Sequence, residues 1–324
     1  MTTWLCADLG GTKTLLGLAE RGADGRVVIA HSQRYLAAEA SSFEALLDDF
    51  LSRHPAAPAA ACLGIAGPIE ADADGHEHVR MTNLPWAVQA TTIGMRLGGA
   101  PVRLVNDFHA TAAGLDAVPP DQLVPLQPGE PRAHAPQVVI GAGTGLGLAY
   151  RIWNGAHYDI VPGESGHMNW APSRAEFDRI LLRLRAKLGR VGNEHVVSGI
   201  GLTHLHEAML AEAGLPAMRL KGEEIAERAD AGDPLAQRTI DLFLIAYGAI
   251  AGDHALTVLA RGGVFVAGGI AQRWLARMQA GRFIEGFRDK GVYAHLAPTF
   301  PVHVVTEPAL GLLGAAVIAS RLAE

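Results

Sequence analysis

Cysteine is nearly missing from this chain, with two in 324 residues, Cys6 and Cys62. Both sit in apolar strand-like runs, so buried, reduced thiols are expected rather than a disulfide, and with them a cytoplasmic setting. Basic clusters are missing too. Lys and Arg number 27 against 33 Asp and Glu, a net charge of −6 with no Lys/Arg block. That argues against a nucleic-acid partner and against an anionic membrane surface. Long apolar runs are also absent: the stretch 242–252 stops at Asp253-His254, well short of the ~20 residues that span a bilayer. At the start, the apolar run 4–7 meets Asp8 at once, so no signal peptide is expected.

Three familiar nucleotide signatures are lacking as well. No G-K-[ST] follows a glycine at P-loop distance, and the HRD and DFG signatures of protein kinases do not occur. A dinucleotide fingerprint beginning at Gly141 and Gly143 would need glycine at 146, where Leu146 stands. The segment after it, Leu148-Ala149-Tyr150-Arg151-Ile152-Trp153, reads as strand where a phosphate-binding helix should begin. A nicotinamide-dependent dehydrogenase is thereby disfavoured. What is present is ordinary core material, 49% hydrophobic and 19% charged. The length suits two domains of ~100–200 residues each.

Two glycine turns of the same build stand out. Ala7-Asp8-Leu9-Gly10-Gly11-Thr12 is one, and Gly141-Ala142-Gly143-Thr144-Gly145 is the other. Each is entered by a short apolar run and left by a second, which predicts strand, tight turn, strand. Glycine lets backbone approach closely and lets several N–H groups converge on one anion, so each turn is a candidate phosphate cradle. Two cradles about a domain apart suggest half-structures that grip opposite sides of a polyphosphate.

The first half alternates strands with helices. Ser41-x-x-Glu44 reads as a capping box before a helix with Phe43, Leu46, Leu47, Phe50 and Leu51 on one face. Strands are expected at 61–66 and 102–105. After Ala117-Val118-Pro119-Pro120, the second half repeats the strand-turn-strand opening and becomes mainly helical. Ser173-x-x-Glu176 reads as a second capping box, and Asp233-Pro234 as the start of a long helix reaching about residue 260. Strands follow at 264–267 and 302–305. The apolar helix 309–322 is expected to pack back on the first domain.

Polar residues at element ends supply candidate chemistry. Asp8 ends a strand beside a cradle, where a divalent cation could lie between its carboxylate and phosphate. Asn106-Asp107 lies at a strand end and opens a helix, whose N-terminus favours an ionised carboxylate able to accept a hydroxyl proton. Glu164 and His167 share the loop Pro162-Gly163-Glu164-Ser165-Gly166-His167, and Glu194 lies in another. Acids and amides outside regular faces suit the directed hydrogen bonds of sugar hydroxyls, although each of these residues taken singly reads as a solvated loop side chain. Two polar clusters read as surface features. Glu70, Asp72, Asp74 and Gly75 imitate an EF-hand start but have Met81 at position twelve, so Asp74-Gly75 reads as a hairpin turn. His76-Glu77-His78 reads as exposed polar residues rather than metal ligands.

Taken together, the segments ADLGGTKT, TNLPW, LVNDF, GAGTGLG, PGESGH, EHVVSG, GGVFVAGGI and PALGLLG resemble the bacterial glucokinase family. These are ATP-dependent hexose kinases of the actin/hexokinase-like superfamily, and the segments run in family order from end to end. The resemblance implies a two-domain α/β fold of the ribonuclease H-like kind. Its mixed five-stranded sheets would be flanked by helices, with the ligand cleft between domains. The smaller domain would comprise 1–116 with 308–324, the larger 117–307.

The implied reaction is phosphorylation of D-glucose at the 6-hydroxyl by ATP, with Asp107 as catalytic base. Asn106, Asp107, Glu164, His167 and Glu194 would hold the sugar. Ala7, Asp8, Leu9, Gly10, Gly11 and Thr12 would cradle phosphates, with Asp8 near Mg²⁺ through water. Gly141, Gly143, Thr144 and Gly145 would form the second phosphate loop, and Gly268 and Gly269 would lie against adenosine.

The related repressor/kinase branch carries a zinc held by a His and three cysteines, which two cysteines cannot supply. Lys13, Ser165 and Asn169-Trp170 stand where Asn, Gly and Asp-Phe are usual. Another hexose substrate, a catalytically silent sugar-binding regulator and a homodimeric state stay open at this stage.

Overall fold

The computed structural model describes residues 2–81 and 84–324. Thr82 and Asn83, the first two residues of the TNLPW segment, lie outside the described residues. The chain divides into two compact units, Met1–Pro120 with Glu307–Glu324, and Asp121–Thr306.

In the first unit, β1 (Trp4–Leu9) and β2 (Lys13–Arg21) form a hairpin around the first glycine turn, and β3 (Val27–Leu36) continues the meander. Helix α1 (Phe43–Arg53) buries Phe43, Leu46, Leu47 and Phe50. Its N-cap is Ser42, which accepts from the Ala45 N–H at 3.3 Å, not Ser41. The two serines are adjacent, and spacing alone does not decide which takes the extended backbone of a cap.

Strand β4 (Ala60–Ile65) follows, and then a small antiparallel sheet of β5 (Glu70–Ala71), β6 (Glu77–Arg80) and β7 (Ala87–Gln89). Asp72 to His76 closes the β5–β6 turn, with Gly75 at φ 84°. Helix α2 (Ala90–Arg96), β8 (Val102–Asn106) and α3 (Asp107–Gly114) complete this part. The main sheet has five strands in the order β3-β2-β1-β4-β8, the last three parallel. All three parallel strands therefore direct their C-terminal ends, Leu9, Ile65 and Asn106, to one edge.

The second unit opens with β9 (Leu123–Gln127), which the sequence reading did not anticipate because Pro125 interrupts a short run. It pairs with the last strand at a sheet edge, where proline is tolerated. Its sheet therefore has six strands rather than five. Strands β10 (Gln137–Ala142) and β11 (Leu146–Trp153) form the hairpin of the second glycine turn, and β12 (Tyr158–Gly163) extends it.

Helices α4 (Ala175–Leu188), α5 (Gly199–Glu212), α6 (Gly222–Asp230) and α7 (Pro234–Val258) come next. Helix α4 starts after Arg174 with no side-chain cap, and Ser173 Oγ instead meets Asp289 Oδ2 at 3.3 Å. Helix α7 begins as expected, with Asp233 Oδ1 accepting from Leu235 and Ala236 at 2.9 and 3.2 Å. It ends at Val258. Among the described residues it is the one helix long and apolar enough to cross a membrane, yet most of it is buried in this unit's core.

Strand β13 (Gly263–Ala267), α8 (Gly269–Arg273), α9 (Leu275–Gln279), α10 (Arg282–Arg288) and β14 (Val302–Val305) complete the unit. The sheet order is β12-β11-β10-β13-β14-β9, again with a parallel centre.

The chain then returns to the first unit as α11 (Leu310–Leu322), which packs on α3, β1 and β4. Small residues let α3 and α11 nearly touch: a Cβ on Gly314 would stand 1.6 Å from the Ala110 carbonyl oxygen. That contact fixes the N-terminal turns of both helices beside the C-terminal ends of the parallel strands.

Candidate active site

In the first unit the chemistry gathers at that sheet edge. The register Asp8↔Gly64 and Gly64↔Val105 puts a residue without a side chain between β1 and β8 on the face that carries Asp8. Asp107 follows directly after β8. Asn106 is the N-cap of α3, its Oδ1 accepting from the Phe108 N–H at 2.9 Å. Asp107 Oδ1 accepts from the same N–H at 2.8 Å, so its negative charge lies at the positive end of a helix.

Asp8 and Asp107 feel one another. Burial, and then the charge of Asp107, push the Asp8 carboxyl up to about 6 from its ordinary 3.8. Beside them the turn Gly10-Gly11-Thr12 is closed by Gly10 N–H to the Lys13 carbonyl at 3.0 Å and anchored by Ala37 N–H to the Thr12 carbonyl at 3.0 Å. Ala7 and Leu9 are buried strand residues that place the turn.

In the second unit the Gly143-Thr144-Gly145 turn is closed by Gly143 N–H to the Gly145 carbonyl at 2.9 Å. Gly199 N–H, at the start of α5, donates to the Gly143 carbonyl at 2.8 Å. Gly141 and Ala142 are the last residues of β10. From α7, the Tyr247 hydroxyl accepts the Ala142 N–H at 3.0 Å. Gly268 adopts φ 88°, a left-handed conformation that favours glycine. A Cβ there would stand 2.9 Å from the Ala142 carbonyl oxygen, so Gly268 is set against the same turn, with Gly269 opening α8.

Glu194 is the hub of the polar loops. Its Oε2 would be 3.0 Å from a Cβ on Gly145 and 3.4 Å from one on Gly166. Its Oε1 lies 3.2 Å from His167 Nδ1. Glu194, His167 and the second glycine turn thus meet at one place. Glu164 is exposed at the head of the loop, where its carbonyl accepts the His167 N–H at 3.0 Å.

A cavity of about 400 Å³ opens from Thr144, with Ile200, Leu202, Ile270 and Trp274 as apolar walls and Lys221 and Glu223 at its polar side. A sequence model described as Glucokinase matches residues 5–322. The chain belongs to the glucokinase family.

It is 33% identical to the glucokinase of Nostoc punctiforme over a gapped alignment of 347 positions that covers 99% of this chain and all of that protein. A solved glucokinase from an Antarctic psychrotroph superposes with a TM-score of 0.89 at 31% identity, covering 99% of each chain. A ROK family glucokinase from Streptomyces griseus, solved with glucose and AMPPNP, shares the fold with a TM-score of 0.65 at 20% identity. It covers 98% of this chain and 99% of that one. These relatives place the chain among sugar kinases of the actin/hexokinase-like fold.

Some glucokinase-family features escaped the sequence reading. The cavity walls come largely from Ile200 and Leu202 of α5, Lys221 and Glu223 at the start of α6, and Trp274, residues that lie outside the family-like segments; Ile270 is the last residue of GGVFVAGGI. Tyr247 looked like one more apolar position of a core helix. The acidic surface segment forms the expected β5–β6 turn, with Glu77 the member that departs from the expectation of plain exposure. Among the described residues, Asp72, Asp74 and His76 bring ligand atoms within 4.8 Å of one another, all exposed. Glu77 instead turns away, accepting from Leu104 N–H at 2.6 Å and pairing with Arg103 at 2.8 Å.

Proposed function

We propose that this chain transfers the γ-phosphoryl group of ATP to the 6-hydroxyl of D-glucose, giving glucose 6-phosphate and ADP. The observation that carries the reading is the Asp8–Asp107 pair at the C-terminal edge of parallel strands, beside a glycine turn. Asp107 would take the hydroxyl proton as the sugar oxygen attacks phosphorus. Its carboxylate accepts the Phe108 N–H at the α3 N-terminus, the positive end of the helix. Asn106 caps the same helix turn and would hold a sugar hydroxyl alongside it.

Phosphoryl transfer needs positioning and charge stabilisation more than covalent chemistry from the protein. The turn at Gly10, Gly11 and Thr12 would supply backbone donors to phosphate. Asp8 fits a hard divalent cation, because its anionic form is disfavoured by burial and by a neighbouring carboxylate and would gain from a positive charge. Mg²⁺, held through Asp8 and water, would offset phosphate charge when bound.

In the second unit, Gly141, Gly143, Thr144 and Gly145 would take the other end of the polyphosphate. The cavity beside Thr144 would take the nucleoside, a purine lying against Ile200, Ile270 and Trp274. Its volume is in the range of small-molecule sites. Gly268 and Gly269 would border the adenosine. Glu194 and His167, with Glu164 at the head of the loop, would bind sugar hydroxyls.

The reading is tested by incubating the purified protein with ATP, Mg²⁺ and a panel of hexoses, following ADP by a coupled assay and the product by ³¹P NMR. Glucose should give the highest kcat/KM and a single 6-phosphate signal. ADP release that does not depend on sugar, or a preference for mannose, fructose or an amino sugar, would overturn the substrate assignment. Sugar binding without turnover would favour a regulator.

A further inference from the structure

Glu194 can act on a sugar only if its loop is held in register with the loop of Glu164 and His167. One residue, Asn193, ties the two loops through both its side chain and its backbone. Asn193 is buried, with 6% of its surface exposed. Its Nδ2 donates to the Ser165 carbonyl at 2.9 Å. Its backbone N–H donates to the Met168 carbonyl at 2.9 Å. Its own carbonyl accepts from Val196 and Val197 at 3.1 and 2.8 Å. One residue therefore spans both ends of the Ser165–His167 turn and also nucleates the turn that leads into α5.

We propose that Asn193 is a positioning residue that sets the carboxylate of Glu194 against His167 and Gly145, and so governs affinity for the sugar. The proposal rests on the reading that Glu194 binds sugar hydroxyls. Geometry favours position over mere stability. Asn193 immediately precedes Glu194, so a shift of its peptide is transmitted to the acid. There is little slack for such a shift on one side, because a Cβ on Gly145 would already crowd the Glu194 carboxylate at 3.0 Å.

The neighbouring ties cannot replace Asn193. Arg190 reaches the His167 carbonyl at 3.0 Å and Asn169 Oδ1 at 2.8 Å, but from an exposed position. His195 Nδ1 accepts the Gly192 N–H at 2.9 Å, which ties the Glu194 loop to itself and not to the other loop. Among the described residues, the amide of Asn193 joins the two loops through a buried side chain, where a hydrogen bond meets little competition from water.

The test measures glucose KM, ATP KM, kcat and melting temperature for Asn193→Ala, Asn193→Asp, Glu194→Ala and Asn193→Ala combined with Glu194→Ala. Asn193→Asp keeps the shape and replaces the donor with an anion that repels the Ser165 carbonyl, so it remains informative if the alanine variant fails to fold. Both single Asn193 variants should raise glucose KM by about tenfold or more, the scale of one displaced charge-assisted hydrogen bond. ATP KM should stay within about twofold.

The double variant should have the glucose KM of Glu194→Ala alone, because Asn193 acts through Glu194. Lowered melting temperature with unchanged glucose KM would overturn the positioning role. Additive effects in the double variant would overturn it as well. If Glu194→Ala itself leaves glucose KM unchanged, the sugar-site reading fails, whatever Asn193 does.

Discussion

Gly311, the second residue of α11, lies directly against the carboxylate of Asp8. A Cβ at 311 would stand 2.9 Å from Asp8 Oδ2 and 3.2 Å from its Cγ. The C-terminal helix thus shapes the acid end of β1 from more than 300 positions away in the chain. Gly311→Ala should force Asp8 aside while α11 stays helical, since alanine is the better helix former. Steady-state kinetics should show kcat lower by on the order of 10²-fold, the scale of an ångström-sized misplacement in an active site. Melting should change little. Near-normal kcat would mean that Asp8 does not need its present position.

Asp8 itself is held at a cost in stability. Its carboxyl titrates at about 6 in the fold against an ordinary 3.8, so the native state binds the proton more tightly than the unfolded chain does. Stability from this group is therefore greatest at low pH and falls as pH rises from about 4 through 6. At ~1.4 kcal/mol per pH unit, the ionised form costs at most about 3 kcal/mol, less what solvent screens at this partly exposed site. Asp8→Asn should abolish turnover yet make the ligand-free protein more stable than the parent above pH 6. That advantage should vanish near pH 4. Urea titrations at the two pH values check this, and equal stability at pH 7.5 would contradict it.

Gly268→Ala tests the second unit. It would put a side chain at φ 88° and 2.9 Å from the Ala142 carbonyl oxygen. Strain of this kind costs about 1–3 kcal/mol, and the displaced strand end should raise ATP KM. Glucose KM should move little. An equal rise in both would show that the substitution disturbs the whole unit rather than the nucleotide side.

Tyr247→Phe removes the hydroxyl that accepts the Ala142 N–H inside the core. An unpaired buried donor costs about 1–3 kcal/mol. Chemical denaturation should show a loss of that size, accompanied by weaker ATP binding because Ala142 precedes the second glycine turn. A loss confined to stability would separate the tyrosine from the turn.

Much of this site was legible in the sequence because its determinants are local. The two hairpins follow from glycine turns flanked by apolar runs. The capped start of α3 follows from Asn106-Asp107 after the short strand run Val102-Arg103-Leu104-Val105, and the start of α7 from Asp233-Pro234. Other features depend on partners far along the chain. Ser41 and Ser173 carry capping-box spacing, yet the caps fall elsewhere because packing sets where each helix begins. Strand β9 exists only because β14, far along the chain, offers it an edge. The approach of Glu194 to Gly145 joins loops 49 residues apart, and nothing in either loop announces the other.

The central claim is that Asp107 removes the proton of the attacking sugar hydroxyl. Asp107→Asn keeps the shape of the α3 N-terminus and removes the base, so kcat and glucose binding measured together on that variant test the claim directly. Turnover should fall by at least about 10²-fold, while calorimetry still detects glucose binding and the melting temperature holds. A variant that phosphorylates glucose at a near-parental rate would contradict the assignment.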